Sequence, residues 1–145
     1  RLTDTVTATK AAQAEGVLPG GGAALAVIGH ALGRRDWPDE HRFGVLCAQR
    51  ALAAPLRQIA ANAGFEGELV VKKVQELGLG WGFNARTAAY APMYEQGIVD
   101  PLTVTRAAVL HGASVAMMIL STNTAVHYAP SVRWPSVPPR LREDL

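Results

Sequence analysis

Three consecutive glycines, Gly20 to Gly22, constrain this chain more than any other feature. They follow Val17-Leu18-Pro19 and precede the apolar run Ala24–Ile28. A glycine has no Cβ, so its backbone can take positive φ and approach another surface or a ligand closely. The stretch therefore predicts either a tight turn between packed helices or a helix start whose free N–H groups receive a phosphate or a nucleotide sugar.

The segments on both sides of these glycines have helical character. Residues 3–15 contain Ala, Lys, Gln and Glu but neither Gly nor Pro, which predicts an exposed helix that ends at Gly16. The run Ala23–Leu32 is almost entirely apolar and predicts a helix in the core. The glycines would then connect an exposed helix to a buried one.

Proline and glycine divide the middle of the chain. Asp39 offers an N-cap for the next helix. Pro55 is expected to break that helix because proline cannot donate a backbone hydrogen bond, so Leu56–Ala63 should form a second, angled helix. Glu68–Leu77 returns to helical periodicity and is followed by Gly78.

Aromatic residues indicate one pair of short strands. Trp81, Phe83 and Tyr90 flank the polar tip Asn84–Thr87, a pattern that fits a β-hairpin. The remaining patterns are helical. The residues therefore predict an all-α bundle with one small hairpin.

The pair Asp100-Pro101 predicts the start of a long helix. A carboxylate can cap free N–H groups, and proline suits the first helical position. The helix is expected over Leu102–Val126 as the central helix of the bundle, with an inward apolar face formed by Val104, Ala108, Val115, Met118 and Ile119.

Composition limits the function classes. A chain of 145 residues that is 49% hydrophobic and 18% charged is typical of one globular domain. The formal net charge of +2 is not gathered into a basic stripe, so no nucleic-acid partner is expected. The four histidines and one cysteine lack metal-ligand spacing, so no metal site is expected. The glycines are not a P-loop, because the Lys-Ser/Thr pair is missing.

Two features bear on the cellular setting. Cys47 lies in a helical apolar pattern and is expected to be a buried free thiol, which favours a reducing cytoplasmic location. The apolar run Ala107–Leu120 is interrupted by His111 and is expected to be too short to cross a bilayer, so no membrane partner is expected. The chain also begins at Arg1, inside a predicted helix, which suggests a fragment.

Five ordered blocks resemble the group I chaperonins, the GroEL family. The resemblance covers residues 1 to about 128, and its blocks are Gly16–Leu25, Ala54–Ile59 with Asn62–Gly64, Gly82–Ala85, Gly97–Pro101 with Val104–Arg106, and Ala113–Ala116. It implies that residues 1–128 are the C-terminal portion of a chaperonin equatorial, ATP-binding domain. Residues 1–15 would lead in from the intermediate domain. Residues 129–145 depart from the family and are expected to form an extended tail.

The resemblance also implies a nucleotide site. Asp4 would help polarise the water that attacks the γ-phosphate, and Asp100 would hold the ribose. The other cofactor-binding positions would be Gly21, Gly22, Asn84, Ala85 and Ile98, with Asn84 and Ala85 bordering the base. Arg86 departs from the small residue usual in the family. From the residues alone, Asp4 is explained by a carboxylate at a helix start, Asn84 by an ordinary turn residue and Asp100 by a helix cap.

ATP with Mg²⁺ would be the cofactor of the full-length protein, and hydrolysis is not expected from this fragment. The implied partners are other subunits in a double ring, a co-chaperonin and unfolded client proteins bound through missing domains. An alternative is a non-catalytic helical oligomerisation module that keeps the equatorial fold. A further alternative is an unrelated helical protein that binds a small ligand.

Overall fold

The computed structural model describes residues 2–126, with side chains from residue 5 onward. This part of the chain is mostly helical, as predicted, with two small antiparallel sheets. The elements in order are α1 (Leu2–Glu15), β1 (Val17–Pro19), α2 (Ala23–Gly33), α3 (Asp39–Asn62), α4 (Gly67–Leu77), β2 (Trp81–Asn84), β3 (Ala89–Pro92), β4 (Val99–Pro101) and α5 (Leu102–Ser121). The chain divides into two compact units, Arg1–His111 and Gly112–Leu145. The predicted tail, 129–145, lies outside the described residues.

The core of the first unit is formed by α2, α3 and α4, with residues from β2 and the turn after β3. Small side chains on α2 and α3 allow the two helices to pack closely, and α4 adds valines at helical spacing. The buried cluster comprises Ala23, Ala26, Ala53, Leu56, Ala60, Val70, Val71, Val74, Phe83 and Met93. The expectation that α2 is a core helix is therefore confirmed.

The helix α3 continues through Pro55, so the predicted break is wrong. Ala53, Leu56 and Ala60 lie on one side of the helix and are almost completely buried. A proline inside a helix removes one hydrogen bond and costs about 3 kcal/mol. Packing of these residues against the core on both sides of Pro55 offsets that cost, which a local rule about proline does not take into account.

The first half of α3 is exposed, contrary to the apolar pattern. Phe43 is 77% exposed and Leu46 is 45% exposed. Cys47 is a free and exposed cysteine, so its expected burial is wrong. The helical periodicity of this segment predicts its helix correctly, but periodicity does not say whether a neighbouring element covers the apolar face.

The predicted hairpin is confirmed as β2 and β3. Its pairing places Asn84 opposite Ala89 and leaves a four-residue loop between the strands. Phe83 is buried and contacts two other rings, with centroids 5.2 Å from Phe65 and 5.4 Å from Tyr90. The aromatic residues thus fix the hairpin to the turn between α3 and α4 and to the core.

A second sheet, formed by β1 and β4, was not predicted. Leu18 pairs with Asp100, and Pro19 pairs with Val99. Each strand has three residues, and the partners are about eighty residues apart in the chain. Strands this short leave no alternation that a sequence pattern can reveal.

The helix α5 has no buried side chain, so the expected inward apolar face is wrong for this chain. Val115 is 54% exposed, and Met118 and Ile119 are each 67% exposed. At 20 residues and a mean hydropathy of 1.4, α5 is long and apolar enough to cross a membrane by length and composition. The prediction that the apolar run is too short to cross a bilayer is therefore also wrong. Length and composition alone do not indicate a membrane span, because core helices of soluble proteins share them.

Gly22 is required by the packing of the loop before α2. Its φ is +76°, a conformation that side-chain-bearing residues rarely adopt. A Cβ built on Gly22 would lie 2.7 Å from the backbone nitrogen of Leu56. Because that atom belongs to the α3 backbone, it cannot move without displacing the helix.

We expect Gly22→Ala to lower the free energy of unfolding by about 2 kcal/mol or more, from the left-handed backbone and the contact with α3. Gly44→Ala is the matched control, because Gly44 lies in α3 with nothing within 4 Å of its Cβ position. That change should stabilise the helix by about 0.5–1 kcal/mol. Denaturant unfolding measures both, and equal stability of the two variants would contradict the packing argument.

Candidate functional site

The three glycines before α2 have different environments. A Cβ on Gly20 would lie 3.0 Å from the backbone nitrogen of Val99, and Gly22 lies against α3 as described above. Gly21 has a φ of +65°, and its Cβ position has no neighbour nearer than Ile98 Cγ2 at 4.0 Å. Packing therefore explains Gly20 and Gly22, and Gly21 is the glycine with open space beside it.

A cavity of about 380 Å³ lies beside this loop and the first turn of α2. The loop, the start of α2, β4, α3 and the first half of α5 all contribute to it. Its lining residues are Pro19, Gly21, Gly22, Ala24, Leu25, Pro55, Ile59, Asp100, Pro101, Val104, Thr105 and Ala108. Three of the predicted site residues, Gly21, Gly22 and Asp100, therefore share one cavity.

Asp100 lies in β4, two residues before α5 begins. Asp100 and Pro101 pair with β1, and α5 begins one residue later at Leu102. The predicted start of a long helix at Leu102 is confirmed, although the helix ends at Ser121 and not at Val126. Pro101 belongs to the strand and not to the first helical turn, so that part of the prediction is wrong. The residue before a proline is sterically driven toward extended backbone, which suits strand pairing. Within the described residues no hydrogen bond or ion pair engages the Asp100 carboxylate, and it is available as an acceptor in the cavity.

Ile98 joins the glycine loop to the segment before β4, but it does not line the cavity. Its carbonyl oxygen accepts a hydrogen bond of 2.9 Å from the Gly20 N–H. Its own N–H donates to the Met93 carbonyl oxygen at 2.9 Å, and its side chain packs against the core cluster. Ile98 therefore fixes the position of the glycine loop relative to β4.

Asn84 and Ala85 are at the tip of the hairpin and do not line the cavity. Asn84 Oδ1 accepts hydrogen bonds from the backbone N–H groups of Arg86 (3.0 Å) and Thr87 (3.4 Å). Asn84 Nδ2 donates to Gln96 Oε1 at 3.3 Å. Ala85 packs against the core cluster. The side chain of Asn84 thus holds the turn and connects it to the segment that leads to Ile98.

The side chain of Asp4 lies outside the described residues, although its backbone belongs to α1. The C-terminal end of α1 is attached to the start of α5. Arg106 Nη2 lies 3.1 Å from each carboxylate oxygen of Glu15. The Leu102 N–H donates to the Gly16 carbonyl oxygen at 3.1 Å. The predicted end of α1 at Gly16 is confirmed.

Several residues of the site escaped prediction from sequence. Pro55 and Ile59 line the cavity from α3. Both belong to the block Ala54–Ile59 that resembles the GroEL family, but the resemblance assigned neither of them to the nucleotide site. Gln96 holds the hairpin tip through a hydrogen bond that joins residues twelve positions apart. Tyr94 donates its hydroxyl to the Val17 carbonyl oxygen at 3.3 Å and so joins the same segment to β1. No local motif signals any of these contacts.

The lining of the cavity combines one carboxylate with mostly apolar residues. Among the described residues that line it, Asp100 is the one ionisable residue, and the others are apolar residues, two glycines and a threonine. No lysine or arginine of the part of the chain with described side chains lines it. Across the part of the chain with described side chains, no group of three or more His, Cys, Asp or Glu residues could hold a metal ion. The cavity can accept hydrogen bonds from a sugar at Asp100 and can present the N-terminus of α2, but it supplies no cation to a phosphate.

Comparison with known proteins identifies related sequences. The family model described as TCP-1/cpn60 chaperonin family matches residues 1–130. "Chaperonin GroEL 1" of Mycolicibacterium gilvum (strain PYR-GCK) is 48% identical over 130 residues, which are 88% of this chain and 24% of that protein. "Probable chaperonin-like protein PrmG" of Rhodococcus jostii (strain RHA1) is 47% identical over 126 residues, 87% of this chain and 23% of that protein.

Solved structures show the same fold. The crystal structure of a group III chaperonin in the open state matches with a TM-score of 0.74 and 32% identity, over 80% of this chain and 25% of that one. An open-state monomer of a group II chaperonin from Methanococcoides burtonii has a TM-score of 0.68 at 22% identity, over 73% of this chain and 28% of the other. The chain spans about a quarter of the length of the relatives that it matches.

We expect Arg106→Ala to loosen α1 without unfolding the core. The ion pair of Arg106 with Glu15 is partly exposed, so its loss should cost about 0.2–1 kcal/mol. Amide hydrogen exchange in α1 should accelerate by up to about fivefold, whereas exchange in α3 should not change. Arg42→Ala, which removes the exposed pair of Arg42 with Asp39 in α3, is the control. Unchanged exchange in α1 would show that the pair does not anchor this helix.

Proposed function

The chain belongs to the TCP-1/cpn60 chaperonin family, and from this premise we propose that it is part of an ATP-dependent chaperonin that assists protein folding. One observation carries the proposal: Gly21, Gly22 and Asp100 line a single cavity at the N-terminus of α2. A helix N-terminus favours negative charge, and an unpaired carboxylate accepts hydrogen bonds from sugar hydroxyls. Family membership argues against the alternative of an unrelated small-ligand protein.

We assign residues 1–128 to the C-terminal portion of the equatorial domain, with 1–15 leading in from the intermediate domain. In this proposal Asp100 holds the ribose, Gly21 and Gly22 approach the nucleotide, and Asn84, Ala85 and Ile98 border the base. The described residues fit the sugar side of a nucleotide, but the cavity offers no cation for phosphates. The phosphate and Mg²⁺ contacts therefore come from the rest of the protein, and the 145-residue chain alone should not hydrolyse ATP.

Asp4 is the proposed catalytic residue. A carboxylate can act as a general base that orients and deprotonates an attacking water. When bound, Mg²⁺-ATP supplies the phosphoryl group that is transferred to that water. Through Glu15 and Arg106, α1 is attached to α5, and through Gly16 it is continuous with β1. The carboxylate would thus be carried by an element that is joined to both sides of the nucleotide site.

The exposed apolar residues of α5 support a larger domain. Leu110 is 60% exposed and Leu120 is 86% exposed. Apolar surface of this extent is normally covered by protein in a soluble assembly. We propose that the remainder of the equatorial domain covers it, in subunits of a double ring that works in the bacterial cytoplasm with a co-chaperonin and unfolded client proteins.

A non-catalytic oligomerisation module is the second candidate. The same uncovered apolar side of α5 favours it, since such a surface could serve subunit assembly alone. The two candidates differ in what the site residues do. In a module, nucleotide binding and hydrolysis are absent, and changes at Asp4 or Asp100 leave assembly as it was.

Asp100→Ala in the full-length protein should raise the Kd for ATP by about tenfold or more, the size of a charge-assisted hydrogen bond. A nucleotide that lacks the ribose hydroxyl should show little further loss in this variant, because the same contact is already missing. Asp36→Ala, an exposed loop carboxylate, is the control. Calorimetry with ATP and its deoxy analogues measures the effect. If the loss of affinity from Asp100→Ala and the loss from removing the ribose hydroxyl add in full, Asp100 does not bind the ribose.

Asp4→Ala in the full-length protein should leave ATP binding and slow hydrolysis by about 10²–10⁴-fold, the usual contribution of a general base. Steady-state turnover and binding are measured together, with Asp36→Ala again as the control. Unchanged turnover would exclude Asp4 from catalysis. A parent protein that assembles but neither binds nor hydrolyses ATP would support the oligomerisation module.

A further inference from the structure

The hydrogen bonds that join β1 to β4 use alternate residues in and beside β1. The Gly16 carbonyl oxygen accepts from the Leu102 N–H at 3.1 Å, and the Gly20 N–H donates to the Ile98 carbonyl oxygen at 2.9 Å. Because the bonding positions of an antiparallel ladder alternate along each strand, the carbonyl group of Val17 points away from β4. This carbonyl group is therefore left for a partner from another part of the chain.

Tyr94 provides that partner. Its hydroxyl donates to the Val17 carbonyl oxygen at 3.3 Å, across 77 positions of the chain. Tyr94 follows Met93, whose side chain is fully buried in the core. The Ile98 N–H donates to the Met93 carbonyl oxygen at 2.9 Å, so residues 93–98 form a closed turn. The tyrosine thus stands on a turn that is fixed to the core and leads directly into β4.

The strand that Tyr94 holds contributes to the cavity. Pro19, at the end of β1, lines the cavity, and Asp100 lines it from β4, where it pairs with Leu18. Each strand has only three residues, and a two-stranded sheet of this kind is marginally stable without further contacts. The additional attachment of β1 through Tyr94 therefore limits how far Asp100 can move relative to the glycine loop that follows β1.

Resting on the proposed function, we propose that Tyr94 is a positioning residue for the contact between Asp100 and the ribose. Tyr94 does not line the cavity, so it acts through β1 and β4. A hydrogen bond from a sugar hydroxyl to a carboxylate weakens steeply when its angle departs from the preferred range. A displacement of β4 against the glycine loop therefore weakens the ribose contact before it affects the rest of the nucleotide.

The test measures the Kd for ATP, 2′-deoxy-ATP and 3′-deoxy-ATP in the full-length protein by calorimetry. The parent protein should bind ATP more tightly than the analogue that lacks the recognised hydroxyl. In Tyr94→Phe, which keeps the ring, this preference for ATP should fall by about two- to tenfold, the net contribution of one hydrogen bond.

Tyr90→Phe is the matched control. Tyr90 is also a partly exposed tyrosine of the first compact unit, and within the described residues its hydroxyl makes no hydrogen bond. This change should leave the preference for ATP as it is in the parent protein. In an Asp100→Ala background, Tyr94→Phe should cause no further loss of ATP affinity, because the contact that it positions is already missing.

The other outcomes overturn the inference in distinguishable ways. An unchanged preference in Tyr94→Phe would show that the hydroxyl does not position Asp100. Equal losses of affinity for ATP and both analogues, or a further loss in the Asp100→Ala background, would show a general structural role. A parent protein that binds ATP and both analogues equally would remove the ribose contact and this inference with it, while ATP binding would stand. If the parent protein binds no nucleotide, the proposed function itself fails.

Discussion

Close backbone contact at the Gly20–Gly22 loop is the constraint on which the first compact unit depends. Gly22 touches the α3 backbone and Gly20 touches the β4 backbone, so the loop joins the helical core to the small sheet. Both contacts need the absence of a Cβ, and side chains at these positions would separate the elements. The remaining glycine faces the cavity. One short stretch thus sets the start of α2, the pairing of β1 with β4 and the location of the site.

Local patterns predicted the elements that local physics determines. Periodicity and end signals gave α1, α2, α4 and the hairpin, and the likeness to the GroEL family drawn from ordered blocks is confirmed. The errors fall where distant contacts decide. Burial on both sides of Pro55 keeps α3 continuous, and pairing with β1 holds Asp100 and Pro101 in a strand. Propensity is a weak prior in such cases because tertiary packing overrides it.

As with the fold, the sequence indicates some residues of the candidate site and misses others. Gly21, Gly22 and Asp100 line one cavity, whereas Asn84, Ala85 and Ile98 do not line it. Ala85 and Ile98 pack against the core cluster. Gln96 could not be found from the sequence, since an exposed glutamine has no pattern of its own. Its importance lies in one hydrogen bond across the turn. Residues that position others are recognised from geometry, and residues that match a motif are recognised from sequence.

The cavity and the helix α5 each lack something that a neighbouring surface could supply. The cavity offers a carboxylate and a helix N-terminus but no cation, and α5 offers an apolar surface with no side chain buried. A bilayer could cover α5, yet it would not supply charges to a nucleotide. A protein surface can do both, and the relatives are about four times as long as this chain. The helix begins at the cavity, where Val104 and Ala108 line it. Under the proposed function, the rest of a chaperonin subunit would cover α5 and would also bring cations to the cavity, so both features favour the same proposal.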